Sequence, residues 1–365
     1  MRRRKILKGL AAAGLVSTLP LSSLVNANAK KPLAILFMGG TGFIGPHMVR
    51  AVTALGHKVT LFNRGKSNPG LFADLELIKG DRLSEDIKQV SGRRWDIIID
   101  SSCYVPRAVK LLMDAIDKTN LQQYIFISTI SVYADFSQPG ITEDAPLAAM
   151  DDPSSEDASK YYGALKVLCE KAAVAALPGK VMRVRCGLIV GPGDHTDRFT
   201  YWPERVYRGG EMLAPGDGSA PFQCLDARDL ANWIAYSVEN RVVGVYNTTN
   251  HAGAYNFSSM IEDCQLTLGT ETKITWVPDE FLIEQGVQQM QDLPFWAAAG
   301  GPYAGVWSVN SERAAAAGLK HRPLTETIGD LHQWYQSQPQ ERRDKPRAGW
   351  TAQREDEVLA AWHAM

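Results

Sequence analysis

A chain of 365 residues, 45% of them hydrophobic, is long enough for one large α/β domain or for a nucleotide-binding domain with a substrate lobe. Its 39 basic and 40 acidic side chains leave a formal net charge of −1, which supplies no global field for holding nucleic acid or an anionic membrane. Five scattered cysteines without a CxxC pair, and seven histidines without HxxxH or HExxH spacing, argue against a disulfide framework and against a metal site.

The first thirty residues form a separate object. Arg2 to Lys5 are basic, residues 9–25 are mildly apolar and broken by Pro20, and Ala27-Asn28-Ala29 has the small-x-small pattern of a cleavage site. The stretch is too polar and interrupted for a stable membrane span. Within it, Arg3-Arg4-Lys5-Ile6-Leu7-Lys8 resembles the twin-arginine export signal, with an ordinary secretory signal as the alternative. The resemblance implies a signal peptide over 1–29, recognition by the twin-arginine export machinery, cleavage near Ala29, and a periplasmic or extracellular protein that is folded with its cofactor before export.

The mature chain opens with a continuous apolar run over 33–38, the mark of a strand buried on both faces of a parallel sheet. A glycine turn and a helical pattern over 43–55 follow. Short apolar runs recur at 58–62, 75–79, 96–100 and 123–128, separated by stretches such as the helix expected over 108–118. A long helix over 159–176 leads into a strand over 180–185. This alternation predicts a doubly wound parallel α/β sheet of the Rossmann type over 30–190. From 191 to 340 the pattern loosens into Gly-, Pro- and aromatic-rich loops with helices near 226–239 and 258–268. That region is expected to form mainly a smaller substrate lobe, with some segments returning to the sheet. Residues 341–365 read as the end of a polar linker and a last helix.

Gly40-x-Gly42-x-x-Gly45 stands between the first strand and the first helix. There, glycines permit a tight turn, let backbone approach a pyrophosphate, and aim the helix N-terminus at the anion. Residues Gly39, Gly40, Thr41, Gly42, Phe43, Ile44 and Gly45 are the expected dinucleotide cradle. The fuller spacing of Gly39, Gly42 and Gly45 resembles the short-chain dehydrogenase/reductase superfamily, in particular its extended and atypical, epimerase-like branches. After the second strand, Asn63-Arg64 carries an arginine where an acid would bind ribose hydroxyls, so NADP is favoured over NAD, although a solvated loop arginine reads the same way. The resemblance implies that Asp81 meets the adenine amino group.

Tyr162 and Lys166 form a Tyr-x-x-x-Lys pair on the helix expected over 159–176, so both lie on one face. A phenol with a pKa of about 10 becomes a useful acid/base beside a cation, and the lysine could also hold the nicotinamide ribose. The preceding strand ends Ser128-Thr129-Ile130-Ser131-Val132-Tyr133, and its resemblance to the extended branch gives Thr129 the role of holding the substrate oxygen, with Ser128 as the alternate. The Asp-Glu pair that follows this threonine in sugar 4,6-dehydratases is replaced by Ile130-Ser131, which argues against that reaction. Gly191-Pro192-Gly193-Asp194 and Asp226-Ala227-Arg228-Asp229 continue the likeness over most of the mature chain.

On the substrate side the candidates are Cys103, Tyr104, Ser131, His195, Arg198 and Trp202. Capping competes as a role for His195 and Arg198, and small-residue packing is the favoured reading of Cys103. The aromatic-bracketed loop from Pro294 to Trp307 reads equally as a lid for a sugar face or as packing. An exported enzyme has no expected pool of reduced nicotinamide, so a tightly held NADP or NAD and redox-neutral chemistry fit best. The leading expectation is an epimerase or isomerase acting on a free sugar, glycoside or polyol. The rivals are a net NADP(H)-dependent reductase and, because an atypical branch that this chain resembles includes chloroplast RNA-binding proteins, a non-catalytic binder.

Overall fold

Short apolar runs too brief for helices, bounded by turns, become strands here. The computed structural model describes residues 31–365, so the export signal read at 1–29 lies outside the described residues. The strands are β1 (Ala34–Met38), β2 (Lys58–Asn63), β3 (Glu76–Lys79), β4 (Ile97–Asp100), β5 (Gln123–Thr129), β6 (Val181–Cys186), β7 (Ile189–Val190), β8 (Glu211–Pro215), β9 (Pro221–Phe222), β10 (Leu225–Asp226), β11 (Gly244–Thr248), β12 (Tyr255–Asn256) and β13 (Lys273–Val277). Seven of them form one parallel sheet in the order β11-β6-β5-β4-β1-β2-β3. The remaining six pair two by two outside it, β10 with β7, β12 with β9 and β13 with β8.

Among the helices that pack around these strands are α1 (Gly45–Ala54), α2 (Pro106–Ala115), α3 (Ala158–Ala176), α4 (Tyr201–Arg208), α5 (Ala227–Asn240) and α6 (Phe257–Leu268). Alternation along each strand divides the core in two. Ile35 and Phe37 of β1 join Met48, Val49 and Val52 of α1 and Leu230, Ile234 and Val238 of α5. Leu36 and Met38 face the other way, with Val109 and Leu112 of α2 and Leu165 and Cys169 of α3. A third apolar core lies in the lobe, where Phe199, Trp202, Phe222, Phe257 and Phe295 are buried together.

The chain leaves β1 toward β2 and β3 on one side, then returns to β4, β5 and β6 on the other. The loops after β1 and β4 therefore diverge at the carboxyl edge, and a crevice opens at this switch point. Leu33–Met365 forms one compact unit, in which β11, from well beyond residue 190, completes the sheet.

The segment 338–349 does more than link. It carries a short helix, Gln340–Arg343, and its Arg342 guanidinium and Arg347 N–H both donate to the buried Asp197 carboxylate. The last helix, Ala352–His363, is pinned by Glu355, which is buried and accepts from Arg205 (2.6 Å), Arg208 (2.7 Å) and the Leu213 N–H (3.0 Å). Among the described residues no helix is long and apolar enough to cross a membrane.

Candidate active site

The turn after β1 is built from what glycine alone allows. Gly39 and Gly40 have φ of 103° and 94°, in the region L side chains avoid. A Cβ on Gly45 would lie 2.6 Å from the Gly40 carbonyl carbon, so α1 can start close against the turn only because that position is bare. Gly42 faces open space, with nothing within 4 Å of where its Cβ would be. The first turn of α1 thus offers free N–H groups to a bare, roomy concavity, and a dinucleotide pyrophosphate fits it.

Asn63 at the end of β2 fastens the turn: its amide donates to the Gly39 carbonyl (2.9 Å) and accepts from the Gly65 N–H (2.8 Å). Asn68 donates to the Thr41 carbonyl (2.8 Å), drawing the 64–70 loop alongside. Arg64 and Lys66 on that loop line the cleft, and Arg64 is exposed with no ion-pair partner among the described residues. Asp81 lines the same end, its carboxylate capping the Leu83 N–H (2.9 Å). Beneath it Arg82 grips the fully buried Asp100 through two 2.7 Å bonds, and Asp100 also accepts from Tyr124 (2.6 Å).

A single cleft of about 910 Å³ runs from this cradle to Thr129, Tyr162 and Lys166, and on to the lobe. Every expected cofactor residue from Gly39 to Gly45, with Asn63, Arg64, Asp81 and Lys166, lines it. Thr129, at the end of β5, caps a 3₁₀ turn: its hydroxyl accepts from the Ser131 N–H and donates to the Ser131 hydroxyl (both 3.1 Å). Ser128, the alternate, is committed elsewhere, donating to the buried Glu170 (2.6 Å), which also holds Arg185.

The lysine is held by backbone from two other segments. The chain bends at Tyr161, whose φ and ψ of −118° and 27° are not helical, so Tyr162 begins the regular part of α3. Lys166 is buried and donates to the Ile127 carbonyl (2.6 Å) and the Cys103 carbonyl (3.0 Å), with its ammonium 4.2 Å from the centre of the Phe126 ring. Burial lowers its pKa. The Tyr162 phenol is pushed up to about 12 by burial and by Tyr104, while the Thr129 hydrogen bond and the Arg198 charge pull the other way. In the protein alone the phenol therefore stays protonated.

Toward the lobe, Tyr104, Ser131, His195 and Arg198 line the cleft. Tyr104 sets its ring 6.3 Å from that of Tyr162, and the Phe43 ring of the cradle stands 6.5 Å from His195. Two expected residues are not there. Trp202 is fully buried in the lobe core, its indole N–H donating to the Pro294 carbonyl (2.9 Å), because α4 turns that face inward. The Cys103 side chain is 1% exposed and packs its sulfur 3.8 Å from that of Cys169; only its carbonyl serves the site, through Lys166. All five cysteines are free and buried. The aromatic loop is mainly packing: Phe295 stacks on Phe222 (4.8 Å) and on Trp307 (5.0 Å), although Tyr303 and Trp307 do reach the cleft. Among the described residues no cluster of His, Cys, Asp or Glu could hold a metal ion.

The NAD-dependent epimerase/dehydratase family matches residues 35–250, more than half of the chain. The chain belongs to that family. A curated relative, the chloroplast stem-loop binding protein of 41 kDa b from Arabidopsis thaliana, is 30% identical over 57% of this chain and 55% of its own length, so the match spans little more than half of that protein. The epimerase family protein SDR39U1 of Mus musculus is 29% identical over 59% of this chain and 74% of its own, and 2'-dehydrokanamycin reductase of Streptomyces kanamyceticus is 25% identical over 75% and 77%. Human SDR39U1, solved with NADPH, superposes with a TM-score of 0.57 at 20% identity over 82% of this chain and 99% of that one. The UDP-Glc/GlcNAc 4-epimerase of Campylobacter jejuni gives 0.63 at 17% over 83% and 98%, a likeness of fold.

In this member of the epimerase/dehydratase family, sequence reasoning passed over several lining residues. Lys66 and Ser67 were legible as a polar Gly65-Lys66-Ser67 turn after β2, whereas Arg82, Phe136 and Met290 reach the cleft only through the fold. Gly163 was missed as well: its bare Cα lets α3 press against the Ser131 carbonyl.

Proposed function

We propose that this chain is an NAD(P)-dependent enzyme that moves a hydride reversibly at a carbinol carbon of a carbohydrate, in the redox-neutral manner of an epimerase or isomerase. The observation that carries this reading is the single cleft joining the glycine cradle to Thr129, Tyr162 and Lys166. When bound, the nicotinamide supplies the hydride acceptor and donor. The protein's own part is to hold and move a proton. Thr129 would hold the substrate oxygen, and Tyr162 beside it, as the phenolate formed against the upward push of its surroundings, would take the carbinol proton as the hydride leaves and return it as the hydride comes back. Lys166 has three N–H donors and spends two on carbonyls, which leaves one for the nicotinamide ribose.

NADP is favoured over NAD because Arg64 and Lys66 present charge at the end of β2, where the Asn63 side chain is occupied with backbone. The export signal read in Arg3 to Lys8 supports a cofactor acquired before translocation and kept through turnover. A net reductase is the second reading, favoured by the likeness to 2'-dehydrokanamycin reductase. A non-catalytic binder, the reading that the chloroplast relative suggests, has only the net charge of −1 to meet a phosphate backbone.

The test is to mix cofactor-loaded protein with a panel of sugars, glycosides and polyols and follow the reduced-nicotinamide absorbance band. A transient band with at least one panel member, followed by formation of its epimer, is expected, and Tyr162→Phe should abolish both. Stoichiometric consumption of added NADPH would favour the reductase, and cellular activity unchanged by Tyr162→Phe would favour the binder.

A further inference from the structure

The loop after β7 is more heavily built than a capping role requires. Asp194 is 1% exposed and accepts from both the N–H and the hydroxyl of Thr196 (2.8 Å each). Thr196 in turn accepts from the Arg198 Nε (3.2 Å). Asp197 is also 1% exposed and sits at a φ of 60°, a left-handed conformation that a non-glycine residue holds only when its surroundings insist. They insist here through Arg342 and the Arg347 N–H (2.8 Å), while the Arg347 guanidinium clamps the His195 carbonyl (3.0 Å). Two buried carboxylates and a segment 145 or more residues away thus hold one short loop in a strained shape.

What that loop delivers is Arg198. Its side chain lines the cleft that also holds Tyr162 and Thr129. Neighbouring arginines are spent, Arg205 and Arg208 on Glu355 and Arg342 on Asp197. Arg198 has no ion-pair partner among the described residues, and its one hydrogen bond, from Nε, leaves both terminal nitrogens free. Of the acids on its own loop, Asp197 is spent on Arg342 and Arg347, and Asp194, which also lines the cleft, holds Thr196 through one of its two oxygens, while lining groups such as Tyr104, Ser131, Leu188 and Tyr303 are neutral. An open guanidinium fork in such a place matches a planar or tetrahedral oxyanion, to which it donates two parallel bonds.

We propose that Arg198 anchors an acidic sugar, its oxyanion a uronate carboxylate or a sugar phosphate, with the reacting carbinol carbon turned toward Tyr162. This rests on the enzymatic reading given above and names its substrate class.

Isothermal titration of cofactor-loaded protein tests it, with galactose, galacturonate and galactose 6-phosphate and the corresponding glucose series as probes. In at least one series an acidic sugar should bind at least tenfold more tightly than its neutral parent, and whether that is the uronate or the phosphate identifies the oxyanion. Arg198→Gln should erase the preference while the nicotinamide nucleotide is retained, and Arg198→Lys should restore only part of it. Equal binding of acidic and neutral sugars, no binding of any acidic probe, or a preference that survives Arg198→Gln would overturn the proposal and leave the enzymatic reading standing. A wild-type protein that carries no nicotinamide nucleotide would overturn both.

Discussion

Gly163 faces the Ser131 carbonyl oxygen so closely that a Cβ there would lie 1.9 Å from it. This contact sets the distance between α3, which carries Tyr162, and the turn that carries Thr129. Gly163→Ala must push the helix away, an overpacking that costs about 1–3 kcal/mol. Because a shift of about 1 Å between reacting groups can cost about a hundredfold in rate, turnover should fall at least tenfold. Thermal unfolding and steady-state kinetics check both; an alanine variant of unchanged stability and rate would show that the contact positions nothing.

Two glycines of the cradle should respond differently to the same methyl group. At Gly42 it enters open space, so Gly42→Ala should keep the melting temperature and lose nucleotide affinity by at least tenfold. At Gly45 it meets the Gly40 backbone at 2.6 Å, so Gly45→Ala should lose both stability and nucleotide. Nucleotide binding by Gly42→Ala at wild-type strength would put the pyrophosphate somewhere else.

The Tyr162 phenol gives a pH prediction. Its pKa is raised to about 12, chiefly by burial, against an ordinary value of about 10, so folding favours the protonated form. Any stability this brings is fully present below the ordinary tyrosine pKa and fades as pH rises through 12. In cofactor-free protein, the phenolate difference spectrum between wild type and Tyr162→Phe should be silent at neutral pH and still unformed near pH 10. A Tyr162-dependent phenolate signal close to neutrality would contradict this environment.

Behind the site, Glu170 holds Arg185 (2.8 Å) and Ser128 (2.6 Å), all three buried. Glu170→Gln leaves the Arg185 guanidinium without its countercharge, and breaking such a pair costs about 3–5 kcal/mol. Denaturant unfolding should register that loss, and a variant within about 1 kcal/mol of wild type would show the network to be dispensable.

The inner strands β1, β4 and β5 were legible because they are buried on both faces and read as apolar runs, whereas β11, half-buried at the sheet's edge, left no such run; the cradle was legible because only glycine permits Gly39, Gly40 and Gly45 their places. Tyr162 and Lys166 were legible from spacing and Thr129 from the family resemblance, yet the partners of the lysine were not. Four residues along a helix fixes a shared face, whereas the carbonyls of Cys103 and Ile127 that hold the ammonium come from two other segments. Trp202 failed for a related reason: a tryptophan beside polar residues just after the sheet reads as part of the substrate surface, and only the packing of α4 onto α6 turns it into core. The bracing of Asp197 by Arg342 and Arg347 joins segments too far apart in the chain for any local pattern to record.

The most direct measurement is the identity and amount of nucleotide released by heat from the purified protein. We expect close to one NADP or NAD per chain, retained through dialysis and lost in Gly42→Ala. A protein that emerges empty and binds added NADP and NAD only weakly would contradict the account at its centre.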